Sequence, residues 1–318
     1  HATRSRVILN HLVKDHEVEI VVSGRAHEYL SRFFFNVHEI KGLRMVYDNN
    51  EVDRSATTWD FIKRLPGMIS GNFHSFMSMS ERFGPDAVIS DFESFAYAFG
   101  KHHDIPVISI DNMQILDRTE LDVKIPDEYE DDFLIAKNIV KLKLPGCFHY
   151  MITTFFYPPT RKRDTSLYPP ILRDRVLDAN TSWGDHILVY QTSTTNEELL
   201  NILSEVKLPF RVYGFRREEK LGNIQLRDFS EDGFIEDLAT SRGVLATGGF
   251  SLMGEAVYLG KPLLSIPLRK QFEQVLNSLY LEKLGYGEFH EQLTPARVQA
   301  FSDRVDSYAG NLKNHTQD

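Results

Sequence analysis

The sequence holds one cysteine, Cys147, in 318 residues. A single thiol forms no internal disulfide and no cysteine-ligated metal cluster, and it suits a reducing cytoplasm. No apolar run reaches the roughly 18–20 residues of a membrane span. The most apolar stretch, Phe148–Tyr157, is strand-sized. There is no excess of positive charge: 36 Lys and Arg face 45 Asp and Glu, the formal net charge is -9 and the pI is near 5.8. Such a chain lacks the basic surface on which sequence-independent nucleic-acid binding rests. It offers anionic lipid little beyond a local patch. HExxH, the P-loop lysine and GxSxG are all missing, so nothing calls for a metal or a serine nucleophile. There is no 20–50-residue repeat, no low-complexity tail and no visible secretory leader.

What is present is an ordinary globular composition, with 42% apolar and 25% charged residues. The length suggests two domains. Short apolar runs read as strands at Val18–Ser23, Ala87–Ser90, Val107–Ile110 and Phe148–Phe156, then at Ile187–Tyr190, Phe210–Phe215, Ile224–Phe229, Val244–Ala246 and Leu263–Ile266. They are apolar throughout, as strands buried on both faces of a parallel sheet are. Helical patterns lie between them, at Thr57–Arg82, Tyr129–Leu142, Asn196–Val206, Phe234–Thr240, Leu252–Leu259, Glu273–Leu284 and Pro295–Leu312. This rhythm predicts an α/β protein of two doubly wound, Rossmann-like domains facing a cleft. The expected division is 1–160, a linker at 161–184 without a clear strand, and 185–318, with the last helix free to pack back on the first domain.

Chemistry concentrates between Phe234 and Gly287. A strand ends in Thr247–Gly248–Gly249 and a helix follows near Ser251. The glycines let a ligand approach the backbone, and the free amides of a helix start favour a phosphate. Ser251 is the expected N-cap. Glu255, one turn in, can accept both hydroxyl hydrogens of a ribose, as acids of dinucleotide-binding folds do. After the strand Leu263–Pro267, the polar residues Gln271, Glu273, Gln274 and Asn277 suit the hydroxyls of a hexose. Each of these features also has a plain structural reading, as a tight turn or a favourable acid in the first helical turn. Their conjunction in one βαβ unit favours a nucleotide-sugar site.

The stretch resembles the donor-binding half of glycosyltransferase families 1 and 28. The resemblance rests on Gly248–Gly249, Glu255, Gly260–Lys261–Pro262, Pro267, Glu273–Gln274, Asn277, and Leu281–Glu282 with Gly285. Phe234–Ala239 is similar to the F-I-D-D-M-A stretch of the lipid-linked N-acetylglucosaminyltransferase of peptidoglycan synthesis. As a whole, the chain most resembles a prokaryotic family-28-like group with an HATRS motif, here His1–Ser5. The resemblance implies a GT-B fold and an inverting, metal-independent hexosyl transfer from a nucleotide sugar to an acceptor hydroxyl. UDP is the expected leaving group, and no cofactor is needed. It also implies that the Ile235 backbone reads the base and that the stretch Gln191–Thr195 after the first strand of the second domain, Thr192 and Ser193 above all, binds phosphate, although Thr194–Thr195 also reads as an ordinary helix start.

In the first half the resemblance makes His1 the acceptor base, oriented by Asp91, and places a strand and a glycine loop before His1. Imidazole suits the role because its ordinary pKa lies near working pH. Asp91 also reads as a simple helix cap. Phe33–Phe35 reads as a buried helix end or a lipid contact, and Arg161–Arg163 as a solvated linker or a head-group contact. The expected protein is therefore cytoplasmic, with a peripheral contact on the inner membrane face left open. Two other functions stay open at this level. One is an epimerase resembling UDP-N-acetylglucosamine 2-epimerase, and the other is a non-catalytic sugar-nucleotide-binding subunit.

Overall fold

A computed structural model describes residues 2–40, 47–48, 51–52, 83–192 and 195–315. The expected helix Thr57–Arg82, together with His1 and Ser193, lies outside the described residues. The chain divides into two compact units. The first comprises 1–121, 133–153 and 157–171, and the second 122–132, 154–156 and 172–318.

Unit 1 opens with α1 (Ala2–Leu12), β1 (Ile20–Ser23), α2 (Arg25–Leu30) and β2 (Val37–Ile40). β1 and β2 pair in parallel, and Leu9, Ile20 and Leu30 form a small core beneath them. Of the phenylalanine run only Phe34 packs there, while Phe33 and Phe35 are exposed. A two-residue antiparallel ladder, β3 (Tyr47–Asp48) with β4 (Glu51–Val52), follows. Next come β5 (Val88–Ser90), α3 (Ser94–His102), β6 (Val107–Asp111), the short α4 (Ile115–Arg118), α5 (Glu130–Lys143), β7 (His149–Thr153) and β8 (Thr165–Tyr168). The last four strands form a parallel sheet in the order β5-β6-β7-β8. β8 corrects the linker reading. Threonine, serine and tyrosine between proline pairs hide a strand when neighbours cannot be seen. Arg118 holds it, donating to Thr165 Oγ1 at 2.7 Å and pairing with Asp164.

Unit 2 continues with α6 (Asp174–Leu177), β9 (Ile187–Tyr190), α7 (Glu197–Ser204), β10 (Phe210–Tyr213), β11 (Glu219–Leu221), β12 (Ile224–Arg227), α8 (Glu231–Ala239) and β13 (Gly243–Ala246). It ends with α9 (Phe250–Tyr258), β14 (Leu263–Ser265), α10 (Phe272–Lys283), β15 (Gly287–Phe289) and α11 (Pro295–Leu312). The sheet order is β11-β12-β10-β9-β13-β14-β15, parallel except for the edge strand β11. Ile187, Val189, Val212, Leu226, Leu245 and Leu264 meet Leu199 and Leu203 of α7 and Val298, Phe301 and Val305 of α11 in one core. The last helix therefore packs within unit 2. Thr294 caps it and Pro295 fills its first turn, where the missing amide costs nothing.

A lysine is buried in this unit. The Lys261 Nζ donates to the carbonyls of Ser182 at 2.6 Å and Ser241 at 2.9 Å, and it lies 4.8 Å from the Trp183 ring centroid. Burial lowers its pKa to about 8. The unfolded amine titrates near its ordinary value of about 10.4. Between these values the unfolded chain binds more protons, so this residue's contribution to stability rises with pH from about 8 to about 10.4. Below about 8 both states are protonated and the full cost of burying the charge remains. Urea midpoints at pH 7.5, 9 and 10.5 should show the native chain gaining on a Lys261→Met variant across that window. A constant difference would contradict the depressed pKa.

Candidate functional site

The β13–α9 turn of unit 2 is built around two glycines with different tasks. Gly248 has φ +83°, and a β-carbon there would lie 2.9 Å from Gln274 O, Ser265 Oγ and Ser278 Oγ. Only glycine fits that conformation and that space. Asn277 Nδ2 donates to the Gly248 carbonyl at 3.1 Å and fixes the turn from α10. Gly249 is the N-cap of α9, with no side chain capping the helix and nothing within 4 Å of where its β-carbon would be. This corrects the expected cap: Ser251 lies inside the helix and is exposed, because α9 starts at Phe250. No side chain caps the amides of the first turn. Thr247 is half-buried just before the turn.

Glu255 lies on α9 and is 6% exposed. Arg173 donates to it twice, Nε to Oε1 at 2.8 Å and Nη2 to Oε2 at 2.7 Å. Arg173 is 7% exposed and also reaches Glu231 Oε1 through Nη1 at 3.2 Å. Burial works to lower the guanidinium pKa, but the two carboxylates overcome it and hold it above its ordinary value. A side-on pair of this kind uses one lone pair on each Glu255 oxygen and leaves the other available. Arg173 falls in the stretch read from sequence as a linker. The signal available there was an arginine closing the run Pro169–Pro170–Ile171–Leu172, whose partner stands 82 positions on.

Ile235, whose backbone is the expected base contact, lies in α8. α8 begins at Glu231, capped by Ser230 on the Gly233 amide, so Ile235 lies in the helix interior with its side chain buried. Its amide and carbonyl belong to the helical ladder. Phe229, just before this helix, is exposed. On α10, Gln274 Oε1 accepts from Leu268 N and its Nε2 donates to Gln271 Oε1, both at 2.9 Å. Gln271 is the N-cap residue and Glu273 lies in the first turn. Thr192 is exposed after β9.

In unit 1, Arg4 ties together the carboxyl ends of three strands. It pairs with Asp91 after β5, donates to Asn112 Oδ1 at 3.3 Å after β6, and reaches Thr153 Oγ1 at 3.5 Å on β7. Ser5 Oγ also donates to Asp91 at 2.9 Å. Glu93, not Asp91, caps α3 by accepting from Ala96 N. Asp111 accepts from Ser109 Oγ at 2.7 Å and Gln114 N at 2.8 Å, and burial raises its pKa.

The model of the family described as "Glycosyl transferase family 1" matches residues 1–306. The chain belongs to that family. An uncharacterized glycosyltransferase of Methanosarcina mazei is 38% identical over 76 residues, 24% of this chain and 20% of the relative's own length. The chain thus aligns with about a fifth of that curated relative. The family-1 chain shares its architecture with solved structures at low identity. A structure titled LpCGTa in complex with UDP has a TM-score of 0.64 at 14% identity, covering 98% of this chain and 90% of that one. MurG of Acinetobacter baumannii has a TM-score of 0.62 at 14% identity, covering 100% and 92%. The family-1 chain therefore has the GT-B fold. No helix among the described residues is long and apolar enough to cross a membrane.

Proposed function

We propose that this chain is an inverting glycosyltransferase that moves a hexose from a nucleoside diphosphate sugar, UDP-linked in the first instance, to an acceptor hydroxyl. The observation that carries the reading is the start of α9 at Gly249, which no side chain caps and which has space at the glycine's β-position, followed by a carboxylate paired with arginine. Family membership and a neighbour whose title records bound UDP support the choice of donor. In this reading the diphosphate takes the α9 amides and Thr192, with Thr247 and Ser251 beside it. The ribose hydroxyls donate to the free lone pairs of Glu255. The exposed Phe229 ring supplies a face for the base. Gln271, Glu273 and Gln274 meet the sugar.

The reaction forms a bond from the acceptor oxygen to the anomeric carbon and breaks the bond from that carbon to the phosphate oxygen. The nucleoside diphosphate leaves with the electron pair, and helix amides offset its charge without a cofactor. The acceptor proton passes to His1, partnered by Asp91. A peripheral membrane contact in unit 1 through Phe33 and Phe35 is compatible with their exposure.

Glu255→Gln keeps the side-chain volume and one bond to Arg173. Calorimetry with UDP should show affinity falling at least about tenfold, the effect of losing a charge-assisted hydrogen bond. Unchanged affinity would sink the ribose assignment. UDP release from UDP-glucose, UDP-galactose and UDP-N-acetylglucosamine, with an acceptor mixture and without, tests transfer itself. Formation of UDP-N-acetylmannosamine would favour epimerisation. Binding of all three donors without turnover would favour a non-catalytic subunit.

A further inference from the structure

The helix α5 carries apolar residues on two sides. Its inner side has the buried Val140, with the half-buried Phe133 and Ala136 beside it. Its outer side carries Leu134, Ile135, Ile139 and Leu142, which are 53%, 42%, 54% and 76% exposed. These four recur at helical spacing and make one stripe. A side that met only water would gain from lysine, glutamate or glutamine, which are better helix formers than isoleucine. Large apolar side chains gathered on one exposed stripe mark an interaction surface.

The polar residues along the same stripe indicate what covers it. Asp131 lies one turn before Leu134 and Ile135, Asn138 lies between Leu134 and Leu142, and Lys141 adjoins Leu142. All three are exposed. The acids of α5 stand in its first turn and the lysines Lys141 and Lys143 in its last. A membrane surface would have to accept the Asp131 carboxylate and the Asn138 amide on the apolar side, whereas interfacial helices keep their polar groups on the other. A second α5 running the opposite way suits both groups. With Ile135 of one helix level with Ile139 of the other, Asp131 stands two residues, roughly 3 Å of helical rise, from the level of the partner's Lys141. The two Asn138 residues stand the same roughly 3 Å apart along the axis. A primary amide both donates and accepts, so it can pair with its own copy. A parallel pair would set acid against acid and lysine against lysine.

We propose that a second copy of this chain docks on the stripe, α5 against α5, antiparallel about a two-fold axis. Each contact then occurs twice, and the assembly closes at two chains. A helix of 14 residues is about 21 Å long and supplies the centre of a small interface. The dimer therefore forms at micromolar rather than nanomolar concentration.

Sedimentation velocity from about 1 to about 200 µM tests this. The native chain should pass from monomer to dimer over that range. Ile139→Glu places a charge on the stripe at an exposed position, and it should stay monomeric with a native urea midpoint. Asp131→Lys should weaken association about tenfold, because two ion pairs become two repulsions. Combining Asp131→Lys with Lys141→Asp should restore it, an outcome that apolar contact in any other orientation does not give. A native chain that is monomeric throughout overturns the proposal, as does a dimer that Ile139→Glu leaves intact. Failure of the double reversal to restore association overturns the antiparallel arrangement. A native monomer that binds phosphatidylglycerol vesicles, and loses them in Ile139→Glu, assigns the stripe to a membrane and overturns the dimer. If Ile139→Glu does not fold, the charge reversal and its rescue decide alone.

Discussion

Arg173→Ala is expected to destabilise unit 2 by about 3–5 kcal/mol, because it leaves Glu255 buried beside no cation. Glu255→Ala should destabilise the unit less, because Arg173 keeps Glu231 as a partner. Neither single alanine variant therefore separates a binding role from a folding role. The double replacement Arg173→Met with Glu255→Leu does. Exchanging a buried ion pair for apolar groups of similar volume is often close to neutral in stability. Urea melts should place the double variant nearer the native chain than either alanine variant. Calorimetry should still find UDP binding gone. A folded double variant with native UDP affinity would show that the pair is purely structural.

Gly248→Ala is expected to cost on the order of 2–5 kcal/mol. A left-handed conformation at a non-glycine residue contributes roughly 1–2 kcal/mol, and crowding against three oxygens at 2.9 Å contributes roughly 1–3 kcal/mol more. UDP binding should fall with it as the turn shifts. The neighbouring Gly249→Ala makes the contrast. Gly249 has φ -64° and open space at its β-position, so alanine there should leave the urea midpoint almost unchanged. Its methyl group would still occupy the approach to the α9 amides. Reduced UDP affinity at native stability is the expected result, and native affinity would place the diphosphate elsewhere.

Much of the fold was legible because strands buried on both faces leave continuous apolar runs. Ile187–Tyr190 and Val244–Ala246 are such runs, and each lies within a central strand of the unit 2 sheet. The missed strands lie at sheet edges or in short pairs. β8 and β15 are edge strands, and Val37–Ile40 carries two consecutive exposed residues, His38 and Glu39, before the buried Ile40. Edge strands carry polar residues that a single sequence cannot separate from loop. At the site, the glycines and Glu255 were legible by local spacing. Arg173 was not, since its burial against Glu255 depends on a chain segment 82 positions away. The N-cap at Ser251 was misplaced for a local reason: Gly249 can begin the helix itself, and a polar residue two positions later then has no capping task.

Lys261 offers a way to watch the donor site without knowing the acceptor. Its amine is sealed behind Ser182, Ser241 and Trp183, so an acylating reagent reaches it only when unit 2 opens. Exposed amines such as that of Lys220 react directly and set the reference rate. The ratio of the two rates measures the free energy of opening, as amide hydrogen exchange does. A nucleotide that binds only the closed unit must slow Lys261 labelling by the factor that its concentration over Kd dictates. Mass spectrometry of one tryptic region would then rank candidate donors by their grip on the folded chain.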